Sequence, residues 1–182
     1  MVETNYLSYN GIVKLNIIDA KTKGVKNSRV IHNNGTDNLF FFLCKCLAKQ
    51  YDTLLAPLAI DASATQYDEK NNNTLTTSLA YRILLSSQGV IENATIKNNE
   101  GNLESYKYMT RFSAIIPYSA ILTNQNTLKC FQLHSSIAQN DRVSSLLAYI
   151  NIPEGVPVSS GEALLIEWNM GFKNPDSEIA QE

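Results

Sequence analysis

The 182-residue chain has few of the side chains that metal, redox or nucleophilic chemistry needs: three cysteines and two histidines. Three cysteines form no disulfide framework in a chain of this length, so buried, reduced thiols are expected, as in a protein assembled in the cytosol. The candidate metal ligands are His32, Cys44, Cys46, Cys130 and His134. Cys44 and Cys46 would diverge by about 200° on a helix, whereas Cys130 and His134 share a strand face without a third ligand. We therefore predict structural roles, with no metal and no cofactor.

Charge is also sparse, because only 18% of the residues are charged and the formal net charge is −2 at pH 7. Lys and Arg are thinly spread, and no basic stripe could follow a phosphate backbone, so direct nucleic-acid binding is not expected. Asparagine and serine replace much of the missing charge, which suits a surface partly covered by neighbouring subunits or reflects AT-rich coding sequence. No apolar run reaches the roughly 18 residues of a membrane span, and residues 1–11 lack the regions of a standard signal peptide.

Catalytic motifs are missing as well. The chain contains neither a G-x-S-x-G turn nor a phosphate-binding glycine loop. Carboxylates for glycoside hydrolysis could be drawn from Asp61, Asp68, Glu69, Glu92, Glu100, Glu104 and Glu167, most of which lie in predicted loops. Glu167 lies in mid-strand beside Trp168, which favours an outward-facing residue or an intersubunit salt bridge over an acid catalyst. We expect no enzyme, and a hydrolase using Glu167 and His134 is the last of three hypotheses.

Alternation of apolar and polar residues is the dominant pattern of the chain, and it predicts strands. It is clearest in 145–172, where Leu164, Ile166 and Trp168 share one face of the second predicted strand. Pro153 and Pro157 are expected to end the strand before it. The eight predicted strands are 11–20, 25–31, 79–86, 90–97, 103–116, 127–135, 146–152 and 163–172. Segment 54–60 is predicted as an edge strand or irregular, and 61–77 as a polar loop.

One helix is predicted at 38–50, because Thr36 and Asp37 offer an N-cap and an apolar stripe with helical spacing follows. The consecutive rings of Phe40, Phe41 and Phe42 exceed what one helix face can hide. At least one ring should therefore contact another element or chain, unless all three lie beneath a long loop.

These elements favour a mainly β chain with an antiparallel β-sandwich of about eight strands and one α-helix in the N-terminal half. We assign residues 1–172 to a single β-sandwich domain, with its helix near 38–50. Residues 173–182 form a polar C-terminal arm that we expect to be ordered only by lying on a neighbouring subunit. An aromatic row on predicted strand 103–116 is open to three interpretations: core, interface or sugar-binding platform. It consists of Tyr106, Tyr108 and Phe112, which Tyr81 and Tyr149 could join.

The later half of the chain carries four apolar motifs in order: YMTRFSAIIP at 108–117, LKCFQLH at 128–134, LLAYI at 146–150 and GEALLIEWNMGF at 161–172. This order resembles bacteriophage virion proteins of the head–neck–tail and fibre type. In those proteins an F-x-A strand is followed by a short strand, an LLA strand and a final G-x-x-L-x-I-x-W strand. The turn and predicted helix at 33–47 resemble the opening of the same family.

The resemblance implies a non-enzymatic structural subunit of a phage particle, such as a collar, tail, ring or head-attached fibre component assembled in the host cytoplasm. Its partners would be other virion proteins and further copies of itself, in a homo-oligomer, with no membrane. Candidate interface residues are Phe40, Phe41, Tyr106, Tyr108, Glu167 and Trp168. The alternative is a carbohydrate-binding β-sandwich module that recognises a host surface glycan through the tyrosine row.

Overall fold

The computed structural model describes residues 9–35, 39, 59–68, 79–84, 86–121, 127–135 and 146–173. Within this part of the chain a 3-10 helix spans Tyr118–Ala120, and no helix is both long and apolar enough to cross a membrane. The strands are β1 Tyr9–Asp19, β2 Val25–His32, β3 Asn34–Gly35, β4 Ala59–Ser63, β5 Leu79–Leu84, β6 Ser86–Lys97, β7 Leu103–Pro117, β8 Thr127–His134, β9 Leu146–Pro157 and β10 Glu162–Lys173.

The strands form two five-stranded sheets. Sheet A has the order β2-β1-β10-β7-β6, and sheet B has the order β3-β9-β8-β4-β5. Every described pairing is antiparallel. The prediction of a mainly β chain with antiparallel sheets is therefore confirmed. The predicted strands 11–20 and 25–31 correspond to the hairpin β1–β2, and 90–97 and 103–116 to the hairpin β6–β7.

The facing sides of the two sheets share one hydrophobic core. Val13 of β1 and Ile166 and Trp168 of β10 contribute from sheet A, and Phe131 of β8 and Ile150 of β9 contribute from sheet B. All five side chains are buried. Burial of alternate apolar side chains from both sheets is the main source of stability in such a layered arrangement.

The chain crosses from one sheet to the other at each lateral side of the core. On one side β2 and β3 are separated by Asn33 alone, and on the other β5 and β6 are separated by residue 85 alone. Asn33 N–H donates to the carbonyl of Gly11 at 2.9 Å. A Cβ on Gly11 would lie 1.7 Å from Asn33 Oδ1, so a larger residue at position 11 would displace the Asn33 side chain. The prediction of one strand at 79–86 missed the second crossing.

Two other sequence-based predictions were wrong. The sequence predicts a polar loop at 61–77 and an edge strand or irregular segment at 54–60, but β4 covers 59–63 and lies between β8 and β5 in the interior of sheet B. Pro153 and Pro157 do not end β9, which continues to Pro157 and pairs with Thr127 there. Proline is tolerated at a sheet edge, and from Ile150 onward no described strand pairs with the side of β9 that faces away from β8. Gly155 adopts a positive φ of +75° in the part of β9 where its register against β8 is irregular.

Two predicted segments lie outside the described residues. Of the predicted helix at 38–50 only Leu39 is described, and it is buried in the shared core. The remaining residues of the predicted helix lie outside the described part of the chain, so this helix stays a prediction. The predicted arm at 173–182 is described only at Lys173, where β10 ends.

Candidate functional site: the outer face of sheet A

The side of sheet A that faces away from the core carries a connected set of polar side chains, which we call the polar row. Strand alternation places it there, because neighbouring residues on β1, β10 and β7 point into the core. The cross-strand pairs Lys14–Glu167 and Arg111–Asn169 bring the charged members together. The polar row consists of Lys14, Asn16, Ser28, Arg111, Glu167 and Asn169.

Hydrogen bonds join these side chains across four strands. Ser28 Oγ donates to Asn16 Oδ1 at 2.8 Å, and Asn16 Nδ2 donates to Glu167 Oε2 at 3.2 Å. Arg111 Nε donates to Asn169 Oδ1 at 2.8 Å. Asn169 Nδ2 lies 3.2 Å from the carbonyl oxygen of Glu167, to which it donates. These bonds fix the positions of Glu167 and Arg111 before any partner binds, which lowers the entropy that binding would otherwise cost.

The polar row contains two cations and one carboxylate. Lys14 Nζ lies 4.0 Å from Glu167 Oε2, and Arg111 Nη1 lies 3.7 Å from Glu167 Oε1. The side chains of Lys14, Arg111 and Glu167 are 43%, 30% and 19% exposed. One positive charge is therefore left without a matching carboxylate in the row, at the boundary between protein and water.

An exposed apolar residue borders the polar row. Ile115 is 45% exposed and lies opposite the half-buried Leu165 on the outer face. It follows Arg111 by four residues on β7, so both side chains point away from the core. A partly open apolar contact beside fixed charges is the usual composition of an interaction surface.

The other end of the outer face is covered by the end of the β6–β7 hairpin. Tyr106 and Met109 pack there with Ile12 of β1 in a second, smaller hydrophobic cluster. Gly171 makes room for the ring, since a Cβ at this position would lie 2.9 Å from Tyr106 Cδ1. Asn99 in the hairpin turn accepts from the N–H of Val30 at 2.8 Å and donates to its carbonyl at 2.7 Å, which covers the outer edge of β2.

Tyr106 also joins a short chain of polar groups. Its hydroxyl donates to Glu104 Oε2 at 3.0 Å, and Glu104 Oε1 lies 3.1 Å from His32 Nε2. Burial, followed by the negative charge of Glu104, raises the pKa of the Tyr106 hydroxyl well above its ordinary value. The hydroxyl is therefore a neutral donor and acts here as a structural group.

The predicted interface residues are placed very differently. Trp168 and Tyr106 are buried inside the chain, so their side chains stabilise the fold and offer no contact area to a neighbour. Tyr108 is 46% exposed, with Lys107 Nζ 5.9 Å from its ring centroid. Glu167 lies at the centre of the polar row. The predicted interface residues outside the described part of the chain are Phe40 and Phe41.

The predicted tyrosine row does not form an exposed platform in the described residues. Tyr106 is buried, and Phe112 is half-buried against the shared core. Tyr149 is buried and packs edge-on against Tyr67, with ring centroids 4.8 Å apart. Tyr108 alone of these side chains is substantially exposed.

The candidate metal and nucleophilic residues Cys130 and His134 do share a face of β8, with Gln132 between them. All three side chains are fully buried on the side of sheet B that faces away from the core. His134 Nε2 lies 3.1 Å from Gln132 Oε1 and 3.7 Å from Asp61 Oδ2. Burial raises the pKa of the Cys130 thiol to about 12, so the thiol is neutral and a poor nucleophile.

The other candidate metal ligands give no evidence of a metal site either. His32 lies near Glu104 on sheet A, while Cys44 and Cys46 are outside the described residues. Where the structure is described, no group of three or more His, Cys, Asp or Glu side chains could hold a metal ion.

Sequence reasoning found Glu167 but missed its surroundings. Lys14 and Asn16 alternate with apolar residues on predicted strand 11–20, and Arg111 lies on predicted strand 103–116, but nothing in the sequence marks them as neighbours. The signal that could have found them is that polar residues alternate with core residues on β1, β7 and β10. The register that joins these strands is set by long-range pairing.

Comparison with protein-family models, with curated proteins and with solved structures found no match for this chain. The outer face of sheet A is therefore interpreted from its own geometry and from the motifs in 108–172.

Proposed function

We propose that the protein is a non-enzymatic structural subunit of a bacteriophage particle, a β-sandwich that assembles through subunit interfaces in a collar, tail, ring or head-attached fibre. The motifs at 108–172, which resemble virion proteins of this type, supply the class. The partners would be further copies of the chain and other virion proteins, within the assembled virion.

The observation that carries the proposal is the hydrogen-bonded polar row beside Ile115, with its exposed cations Lys14 and Arg111. Its charged groups lie on three neighbouring strands of one sheet, and hydrogen bonds orient Glu167 and Arg111 among them. Lys14 and Arg111 share one carboxylate and keep a positive charge at the surface. Assembly would bury Ile115 and Leu165 at the centre of a contact and set its orientation through the surrounding charges.

The first experiment is the mass of the purified chain in solution, measured by size-exclusion chromatography with light scattering over a range of concentrations. A discrete homo-oligomer is expected. A monomer at every concentration would contradict assembly through self-contact.

A matched pair of variants locates the interface. Ile115→Asp places a charge in the proposed contact and should shift the oligomer towards monomer by at least about tenfold in dissociation constant. Leu103→Asp is the control, because Leu103 is even more exposed and lies at the β6–β7 hairpin, away from the polar row. Equal effects of the two substitutions would exclude this face as the interface.

A glycan-binding function is not proposed on the described residues. That alternative needs several exposed tyrosines on one strand face, and burial of Tyr106 and Tyr149 removes two of them. Tyr108 could still contribute to a subunit contact, as the motif-based prediction has it.

A further inference from the structure

We infer that the polar row binds the acidic segment 174–182 of a second copy of the chain, an inference that rests on the proposed function and specifies its contact. Two copies that met face to face through this surface would bring Lys14 and Arg111 of both together, and like charges that are desolvated in a contact repel. The face therefore fits an acidic partner better than a copy of itself.

Both cations retain capacity to bind a carboxylate. The Lys14 ammonium approaches Glu167 only to 4.0 Å, and Arg111 Nη1 only to 3.7 Å, so neither makes a short ion-pair hydrogen bond with it. Glu167 Oε2 accepts from Asn16 instead, and Arg111 is oriented by Asn169 through Nε. The guanidinium and ammonium thus keep N–H donors that can reach an incoming carboxylate.

The segment after β10 has the complementary composition. Residues 174–182 read NPDSEIAQE and carry three carboxylates, Asp176, Glu178 and Glu182, with no Lys or Arg. The segment also contains Ile179, an apolar side chain that could cover the exposed Ile115. Charge and apolar content therefore match the polar row and its border.

Chain geometry limits which residues of the segment can reach the polar row within one chain. Lys14 pairs with Glu167, and Glu167 lies six residues before Lys173 on β10, or about 20 Å along the strand. Asp176 follows Lys173 by three residues and can extend no more than about 10 Å from it, and Glu178 about 17 Å. Asp176 therefore falls short of Lys14 in its own chain, whereas Glu178 and Glu182 lie far enough along the segment to reach the polar row from either chain. In an assembly a neighbouring copy has no such restriction.

A charge-reversal experiment on the full-length chain tests the inference. Self-association is measured by sedimentation velocity for wild type, for Lys14→Glu and for the double substitution Asp176→Lys with Glu178→Lys. Each change should weaken association about three- to tenfold, the size expected for exposed ion pairs. The combined triple variant should return to within about twofold of wild type, because the charges are again complementary. Lys21→Glu, in the exposed β1–β2 turn, should have no effect.

Mixing separates a contact between copies from one within a chain. Lys14→Glu chains and chains with the reversed arm each associate weakly alone, but the mixture should associate as tightly as wild type. If the arm bound its own chain, mixing would restore nothing, and the inference would be overturned. Conservative variants, Lys14→Gln and Asp176→Asn with Glu178→Gln, repeat the test without new charges should a reversed variant fail to fold.

The outcomes also separate this inference from the proposed function. A wild-type oligomer that none of these charge variants weakens would overturn the arm contact and leave assembly through another surface intact. A wild-type chain that stays monomeric would contradict both. Loss of association in single variants without rescue in the combined variant would also overturn the arm contact.

Discussion

The outer faces of the two sheets both carry polar residues, but they differ in their access to water. On sheet A the side chains of Lys14 and Arg111 are 43% and 30% exposed. On sheet B Asp61, Gln132 and His134 are fully buried. The same alternation directs both sets of side chains away from the shared core. Alternation therefore decides which residues leave the core, and only the material that covers a face decides whether those residues form a surface or a buried network.

The difference has an energetic consequence. Charges in water gain little from pairing, because solvent screens them and the side chains lose freedom. A buried ionisable pair such as Asp61 and His134, 3.7 Å apart, depends on its partners because water cannot replace them. The exposed charges of the polar row therefore add little to the stability of the fold. The buried polar residues of sheet B are part of the fold, as are Asn16 and Asn169 of the polar row.

The largest expected effect tests this contrast directly. Asp61→Ala should lower the free energy of unfolding by about 3–5 kcal/mol, because it leaves the buried imidazole of His134 without its carboxylate. Lys14→Ala should change it by less than about 1 kcal/mol. Urea unfolding followed by the fluorescence of Trp168, the single tryptophan, measures both. Similar losses in the two variants would show that the polar row of sheet A and the buried polar residues of sheet B contribute equally to stability, contrary to what the structure implies.

A second substitution tests the covered end of sheet A. Gly171→Ala should lower the free energy of unfolding by about 1–3 kcal/mol, because the added Cβ would lie 2.9 Å from Tyr106 Cδ1 and from the Tyr108 carbonyl oxygen. Gly24→Ala is the control and should stay within about 0.5 kcal/mol, since its nearest contact is Thr22 Oγ1 at 3.4 Å. Urea midpoints compare the two. A neutral Gly171→Ala would mean that the hairpin does not pack closely on this face.

Two asparagines allow a matched comparison between the sheets. Asn151 on sheet B holds the backbone N–H and carbonyl of Tyr67, both at 2.9 Å, as Asn99 holds those of Val30 on sheet A. Asn151 is half-buried and Asn99 exposed. Asn151→Ala should therefore cost about 1–3 kcal/mol and Asn99→Ala about 1 kcal/mol or less. Hydrogen exchange at the amides of Tyr67 and Val30 gives a local readout, and faster exchange at Val30 alone would reverse the expected order.

The strands were predictable because their alternation is local. Leu164, Ile166 and Trp168 face the core as their spacing predicts, and the hairpins β1–β2 and β6–β7 follow from short polar turns between strands. The burial of Asp61 was not predictable, because a carboxylate in a polar stretch looks like a solvated charge until β4 is placed between two strands. The passage of β9 through its prolines depends on its position at a sheet edge, which sequence periodicity does not encode.

The polar row was predictable only in part, for the same reason. Glu167 stood out as a charge within an apolar strand, but its neighbours come from β1 and β7, which are distant in sequence. Trp168 shows the opposite failure. Its alternation with Glu167 already placed it on the core face, and its large ring nevertheless suggested an interface. A large aromatic residue on the apolar side of an amphipathic strand is better interpreted as core.

The smallest expected effect concerns electrostatic stability that belongs to neither outer face. Lys26 Nζ lies 3.0 Å from Glu162 Oε1 and 3.8 Å from Asp19 Oδ2, where the β1–β2 turn meets the start of β10. The backbone N–H of Ser159, followed by Lys26, holds the pKa of Glu162 below its usual 4.5. Its charged form is therefore favoured in the folded chain, and the resulting stability is present above about pH 4.5 and is lost as the pH falls through the lower folded pKa. Thermal unfolding between about pH 6 and pH 3 should show a smaller decline for Glu162→Gln than for wild type. If the substitution leaves the decline unchanged, the acid sensitivity arises elsewhere. Glu167 of the polar row and the buried Asp61 of sheet B then become the groups to test.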